Sequence, residues 1–331
     1  MTAVTETDTV SAVAEPRLRR KVMGMPAHHM AIFALLLAAG VVAPFMLYPV
    51  FVMKILCFAL FACAFNLLLG FGGLLSFGHA AYFGSASYIA AHSAKVWGLS
   101  PELSILAGTA AAALLGLAFG SLAIRRQGIY FAMVTLAFAQ MIYFFSLQAP
   151  FTGGEDGIQG VPRGNVFGLI PIQSHFAVYW MVLAITFIGL LLIYRIIHSP
   201  FGQVLKAIRE NEPRAISLGY HVNRYKLTVF VLSATLAGLA GATKAFVFQL
   251  ASLTDVHWTM SGEVVLMTLL GGMGTVFGPI VGAAVIVTMQ NYLATWGAWV
   301  TIVQGIVFVI CVMVFREGIV GVIQKWTRRP L

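Results

Sequence analysis

Apolar runs of about 20 residues recur along this chain, and no other feature constrains its fold as much. At 1.5 Å per residue, one such run in helical form crosses the hydrocarbon core of a bilayer. Spans are expected over residues 31–48, 51–69, 104–124, 129–147, 176–194, 227–250 and 299–315, and two further apolar stretches are interrupted by glycine. The pattern predicts an all-α polytopic membrane protein of about 8–10 transmembrane helices, some of them Gly-broken or re-entrant. Hydrophobic residues make up 60% of the 331 and charged residues 9%, which excludes an ordinary soluble domain.

A net charge of +9 would point to nucleic acid in a soluble chain, but its distribution argues for membrane topology and for no nucleic acid. Of the 20 Lys and Arg residues, 16 fall in four clusters: residues 17–21, Arg125 with Arg126, residues 195–226, and residues 316–329. Such clusters mark cytoplasmic loops, so both termini are expected to be cytoplasmic. Lys54, Lys95, Arg163 and Lys244 stand apart, Lys54 near the outer end of its span, where its stem can snorkel. Cys57, Cys63 and Cys311 lie in apolar runs and read as small core residues. Residues 1–28 end in a basic cluster and read as a disordered cytoplasmic tail, leaving 29–331 as the membrane domain. A secretory signal is the rival reading, but the apolar stretch from Ala31 is too long for a signal core.

Residues 195–226 are the longest soluble-looking segment between two apolar runs. Pro200 suits the start of a helix striped by Val204, Leu205 and Ile208, and Asn211 with Glu212 interrupts it. Pro213 suits the first turn of a second short helix, which Gly219 ends. Two short helices at a membrane surface are either a docking element for another protein or a solvated connector carrying topology charges.

The glycine-rich stretches are residues 70–94 and 263–292. Gly72, Gly73 and Gly78 make the first a poor continuous helix, with Asn66, Ser76 and His79 polar around it. The second must begin and end outside for the C-terminal charges to lie inside. It is expected to be a hairpin broken at residues 271–279, with Asp255, His257 and Glu263 in the external connection before it. Gly72-Gly73 before Phe77-Gly78 loosely matches Gly271-Gly272 before Phe277-Gly278, the pattern expected where broken helices build a transport path. Helix N-termini exposed there would offer donors to a carboxylate, with Asn66, Ser76 and Thr275 adding side-chain hydrogen bonds.

Enzyme chemistry is not indicated. No HExxH, CxxC, GxSxG or Walker A pattern occurs, and no His, Cys or carboxylate cluster has metal-ligand spacing. His79, Lys244 and Glu263 are the ionisable candidates within apolar runs and have no visible partner pattern. A self-sufficient carrier or channel would want more such groups for ion coupling.

Five stretches together resemble the permease subunits of branched-chain amino acid ABC importers, the LivM-type family. They are NLLLGFGGLLSFGHAAYFG from Asn66, RRQGIYFAMVTLAFAQ from Arg125, TGGEDGIQGVPR from Thr152, LLGGMGTVFGPIVGA from Leu269, and the long block from Ser199 to Gly241 that contains ENEPRAISLG. The resemblance covers nearly everything after the tail. It implies the ABC importer permease fold, a bacterial inner-membrane location, and a cytoplasmic loop over residues 195–226 that couples to two ATPase subunits. ATP and Mg would sit on those subunits, with no cofactor in this chain. The coupling residues would be Lys206, Arg209, Glu210, Asn211, Pro213, Arg214, Ala215 and Gly219. A second homologous permease subunit would complete the path, which would involve Asn66, Gly72, Gly73, Ser76, Gly78 and His79 with Gly271, Gly272, Gly274, Thr275 and Gly278. A periplasmic substrate-binding protein would dock at Thr152, Gly153, Gly154, Glu155 and Asp156, although a solvated turn is the ordinary reading of those residues. Related permeases serve urea or short amides, so the substrate stays open, and a secondary carrier or channel is the competing class.

Overall fold

The computed structural model describes residues 21–22, 25–166, 170–172, 174–297, 299–314 and 318–327. The expected tail over residues 1–28 lies almost wholly outside them, as do Arg316, Arg328 and Arg329. The described residues divide into two compact units between Val41 and Val42. In the first, residues 21–22 and 25–26 pair antiparallel before helix α1 (Ala27–Met46) begins.

The second unit is helical. Helix α2 (Pro49–Asn66) opens on a proline, whose missing N–H would have no partner in a first turn anyway, and it widens into a π turn at Leu67–Phe71. Then follow α3 (His79–Lys95), α4 (Pro101–Ala123), α5 (Ile129–Gln148) and α6 (His175–His198). Two short helices, α7 (Pro200–Glu210) and α8 (Glu212–Ser217), lead into α9 (Val222–Phe248). Helices α10 (Trp258–Gly271), α11 (Gly278–Leu293), α12 (Trp299–Val314) and α13 (Gly318–Thr327) complete the chain. Among the described residues, six helices are long and apolar enough to cross a membrane: α1, α2 with its π turn, α4, α5, α6 and α9. The expected break falls between α10 and α11, and the first stretch unwinds over residues 72–78 only.

Several boundaries differ from expectation; helix α6 runs on to His198, so residues 195–198 belong to it rather than to the loop. Helix α9 starts five residues before Leu227, so residues 222–226 belong to it rather than to the loop. Glu263 is not in a connection: His257 accepts from the Thr259 N–H at the N-cap, and α10 is already in its second turn at Glu263.

The core is built by close helix approach. Helices α2 and α9 are buried along most of their length, while Leu106, Leu114, Met133, Phe144 and Ile188 on α4, α5 and α6 point outward. Gly108, Ala112, Gly116 and Gly120 recur every fourth residue on α4 and meet Ala242, Gly238, Ala234 and Phe230 of antiparallel α9. Small residues at this spacing let two backbones come close where no hydrophobic effect drives them together. A Cβ at Gly238 would overlap that of Ala112. Gly238→Leu is therefore expected to cost about 1–3 kcal/mol or more, read as a lower Tm in detergent; an unchanged Tm would mean the pair separates freely.

The connections sort onto two ends. At one, Gln127 donates to Glu212 at 3.3 Å and Lys226 pairs with Glu212 at 2.7 Å. This basic end holds the loop after α4, helices α7 and α8, and both glycine breaks. At the other, Lys95 donates to the Gln159 carbonyl, residues 158–159 pair with 250–251, and Arg163 donates to the Val247 carbonyl at 3.0 Å.

Candidate functional site

The two-helix element forms for the local reasons its sequence offers. The Ser199 hydroxyl accepts from the Gly202 N–H, and Pro200 starts α7. Leu205 and Ile208 turn inward, with Val204 half-buried. Asn211, in extended backbone, breaks the helix and caps the next by accepting from the Arg214 N–H at 3.0 Å. Gly219, at φ +86°, ends the element. Ala215 packs inward with Ile208 and Val222, whereas Ile216 and Leu218 are 58% and 69% exposed.

Both broken segments meet beneath this element. Asn66, at the end of α2 and 2% exposed, accepts from the Gly274 N–H at 3.0 Å and donates to the Thr275 carbonyl at 2.8 Å. One amide side chain thus clamps the first segment to the second. Gly70 is required for the approach, because a Cβ there would strike Asn66 Oδ1 and the Gly274 N–H. From α7, Arg209 donates to the Gly70 carbonyl, and its stem and guanidinium lie against Gly73 and Gly274. Lys206 lies 5.5 Å over the Phe71 ring. Burial there, and then the charge of Arg209, lower the Lys206 pKa from its ordinary value.

The segments also start their following helices in matching ways. Ser76 accepts from the Gly78 N–H at 3.1 Å before α3, and Thr275 accepts from the Gly278 N–H at 3.1 Å before α11. The Phe77 and Ala80 N–H groups donate to the hydroxyls of Thr135 and Ser261. In this conformation these amides and hydroxyls and the Asn66 side chain, expected to face a carboxylate, are engaged by groups of the protein itself. Buried groups must find partners: Asn66 finds them in the other segment, Ser76 and Thr275 within their own, and the Phe77 and Ala80 amides on α5 and α10. His79 is likewise fully buried, among Phe65, Tyr82 and Phe230. Ser233 donates to the Ala64 carbonyl, so it accepts from His79 Nε2–H at 2.8 Å.

At the opposite end, Gly153, Glu155 and Asp156 are exposed and Gly154 is half-buried. Thr152 departs from the surface expected for it. It is 1% exposed because its hydroxyl turns inward to the Ser146 and Ala149 carbonyls, and it lines an apolar cavity of about 320 Å³ with Ser85, Tyr88 and Phe145.

The family described as "Branched-chain amino acid transport system / permease component" matches residues 50–312, most of the chain. The chain belongs to that family. It is 28% identical over 231 residues to the high-affinity branched-chain amino acid transport system permease protein LivM of Escherichia coli K12, covering 63% of this chain and 54% of that one. It is 31% identical over 196 residues to the ribose import permease protein RbsC of Bacillus subtilis, covering 54% and 58%. A probable LivM of Methanocaldococcus jannaschii is 28% identical over 141 residues, covering 41% and 40%. The matched region spans about half the length of these curated relatives. No solved structure matches.

In this multi-pass membrane protein, sequence reasoning passed over Gly70, Glu212 and Lys226 as site residues. Lys226 is 5% exposed and its ammonium is neutralised by Glu212, which ties α8 to α9. Nothing in the spacing of residues 212 and 226 announces that pair, because it closes across a helix junction. Lys244 and Glu263 also have partners, Asp255 and Gln290.

Proposed function

We propose that this chain is a membrane-spanning subunit of an ATP-binding-cassette importer for branched-chain or other hydrophobic amino acids. The observation that carries this is the α7–α8 element at the basic end, joined by Arg209 to both broken segments. Exposed Ile216 and Leu218, outside any span and beside charged residues, favour contact with another protein over a solvated connector. In this reading the basic end is cytoplasmic, and two ATPase subunits carrying ATP and Mg dock on Glu210, Pro213, Arg214 and the exposed apolar pair. Asn211, Ala215 and Gly219 hold the element's shape, and Lys206 and Arg209 pass its displacement to the breaks. Those breaks carry few helical hydrogen bonds and so are where α2–α3 and α10–α11 bend most readily, moving the wall of the path they share with a second permease subunit. A periplasmic binding protein delivers substrate at the loop holding Glu155 and Asp156. The location is the bacterial inner membrane.

The LivM relatives favour an amino acid, and the RbsC match supports a pentose as the second reading. Purification of the tagged chain in mild detergent, with mass spectrometry of what it retains, tests the proposal. Two ATPases and a second permease are expected, and ligand binding to the accompanying periplasmic protein names the substrate. A homo-oligomer active in uptake without ATP would replace this reading with a secondary carrier. Topology gives a further prediction: a cysteine at Asp156 should label from outside and one at Glu210 only after permeabilisation. The reverse pattern would invert the orientation.

A further inference from the structure

Two acid–base pairs lie towards the end of the bundle opposite α7, and only one is closed. Lys244 on α9 donates to Asp255, whose side chain is 1% exposed. Lys54 on α2 has neither a hydrogen bond nor an ion pair among the described residues. Glu263 on α10 accepts from Gln290 Nε2 on α11 at 3.0 Å. Lys54 feels the charges of Lys244 and Glu263, yet the gap to Glu263 is too wide for an ion pair.

Position sharpens the point. Lys54 lies five residues into α2 and Glu263 five into α10, each about 7.5 Å along from its helix start at 1.5 Å per residue. All three side chains are half-buried, on helices that pack together. Charges at this depth are costly against hydrocarbon and ordinarily face a partner or water. Glu263 attracts the Lys54 ammonium whereas Lys244 repels it, and α11, which holds Glu263 through Gln290, also meets α2 at Phe51, so Lys54 stands on the side of α2 turned to α10 and α11 rather than to lipid. One turn from Lys54 on the same face, Phe51 meets the Tyr292 ring at 6.4 Å, an aromatic wall beside the charges.

We infer that Lys54, Glu263 and Gln290 form an outer site that reads a zwitterion, binding an amino acid's carboxylate at Lys54 and its ammonium at Glu263. Gln290 orients the Glu263 carboxylate, and Phe51 with Tyr292 offers the apolar wall for an aliphatic side chain. Among the described residues, an ammonium with no ion-pair partner beside a carboxylate held only by an amide suits a ligand carrying the complementary charges. This rests on the importer reading above.

The test uses the complete importer in proteoliposomes with its binding protein and a radiolabelled mixture of protein amino acids. Lys54→Met and Glu263→Gln are each expected to lower ATP-driven uptake roughly tenfold or more, while hydrolysis stimulated by the loaded binding protein stays within about twofold. Lys54→Arg should restore uptake. With Cys57, Cys63 and Cys311 replaced by alanine, Lys54→Cys should react with a membrane-impermeant thiol reagent, and the amino acid mixture should slow that reaction. Uptake unchanged in both charge variants overturns the site. So does a Lys54→Cys that reacts only with a lipid-soluble maleimide, because Lys54 then meets lipid headgroups, which share the zwitterionic chemistry. Failure of the importer reading shows separately, as a wild-type complex that moves no amino acid on adding ATP.

Discussion

Arg209→Ala is expected to lower uptake roughly tenfold or more, within the 1–3 kcal/mol range of coupling free energies, while the chain stays inserted and keeps its partners. The side chain links three places: its own helix α7, the Gly70 carbonyl within the π turn, and Gly274 in the second break. Helix α7 itself is held by Leu205 and Ile208, so its docking should survive the loss of Arg209. What disappears is the tie from that helix to the breaks. ATP hydrolysis should therefore continue in reconstituted complexes while transport falls. Arg209→Lys keeps the charge as a single point donor without the planar fork and should give an intermediate rate. Wild-type uptake by Arg209→Ala would remove the coupling role assigned to it.

Asn66→Ala is expected to have the larger effect on stability. It leaves the Gly274 N–H and the Thr275 carbonyl without the partner they now share. Each buried group left unpaired costs about 1–3 kcal/mol, so the α10–α11 hairpin should loosen from α2 and the Tm should fall by several degrees. Asn66→Asp separates geometry from chemistry, since it still accepts from Gly274 but cannot donate to Thr275 and places a charge at a buried site. It should destabilise at least as strongly as alanine. Equal stability of all three forms would mean that the clamp contributes nothing to holding the breaks together.

The clamp and the Arg209 tie together suggest a division of labour. Asn66 holds the two segments to each other through both ends of one amide, whereas Arg209 approaches from outside with an exposed side chain. A joint of this kind transmits displacement best if its inner contacts are stronger than the outer one. Thermal stability should then respond chiefly to Asn66 and transport coupling chiefly to Arg209.

Helix positions were largely legible in the sequence because membrane-length apolar runs leave the backbone little choice. Local punctuation was legible too: Pro200, Asn211, Pro213 and Gly219 act on backbone geometry within a few residues, so α7 and α8 fall where those residues require. The glycine pairs at 72–73 and 271–272 likewise marked the two interruptions. Which polar groups answer one another was decided only by tertiary structure. Asn66 meets residues more than 200 positions away, Arg209 reaches Gly70 across 139, and Lys226 finds Glu212 across a helix junction. Sequence spacing records the period of a helix but not its neighbour. The Ser76 and Thr275 hydroxyls, which read as free to bind a substrate, are by contrast taken up locally, by N–H groups two and three residues further on.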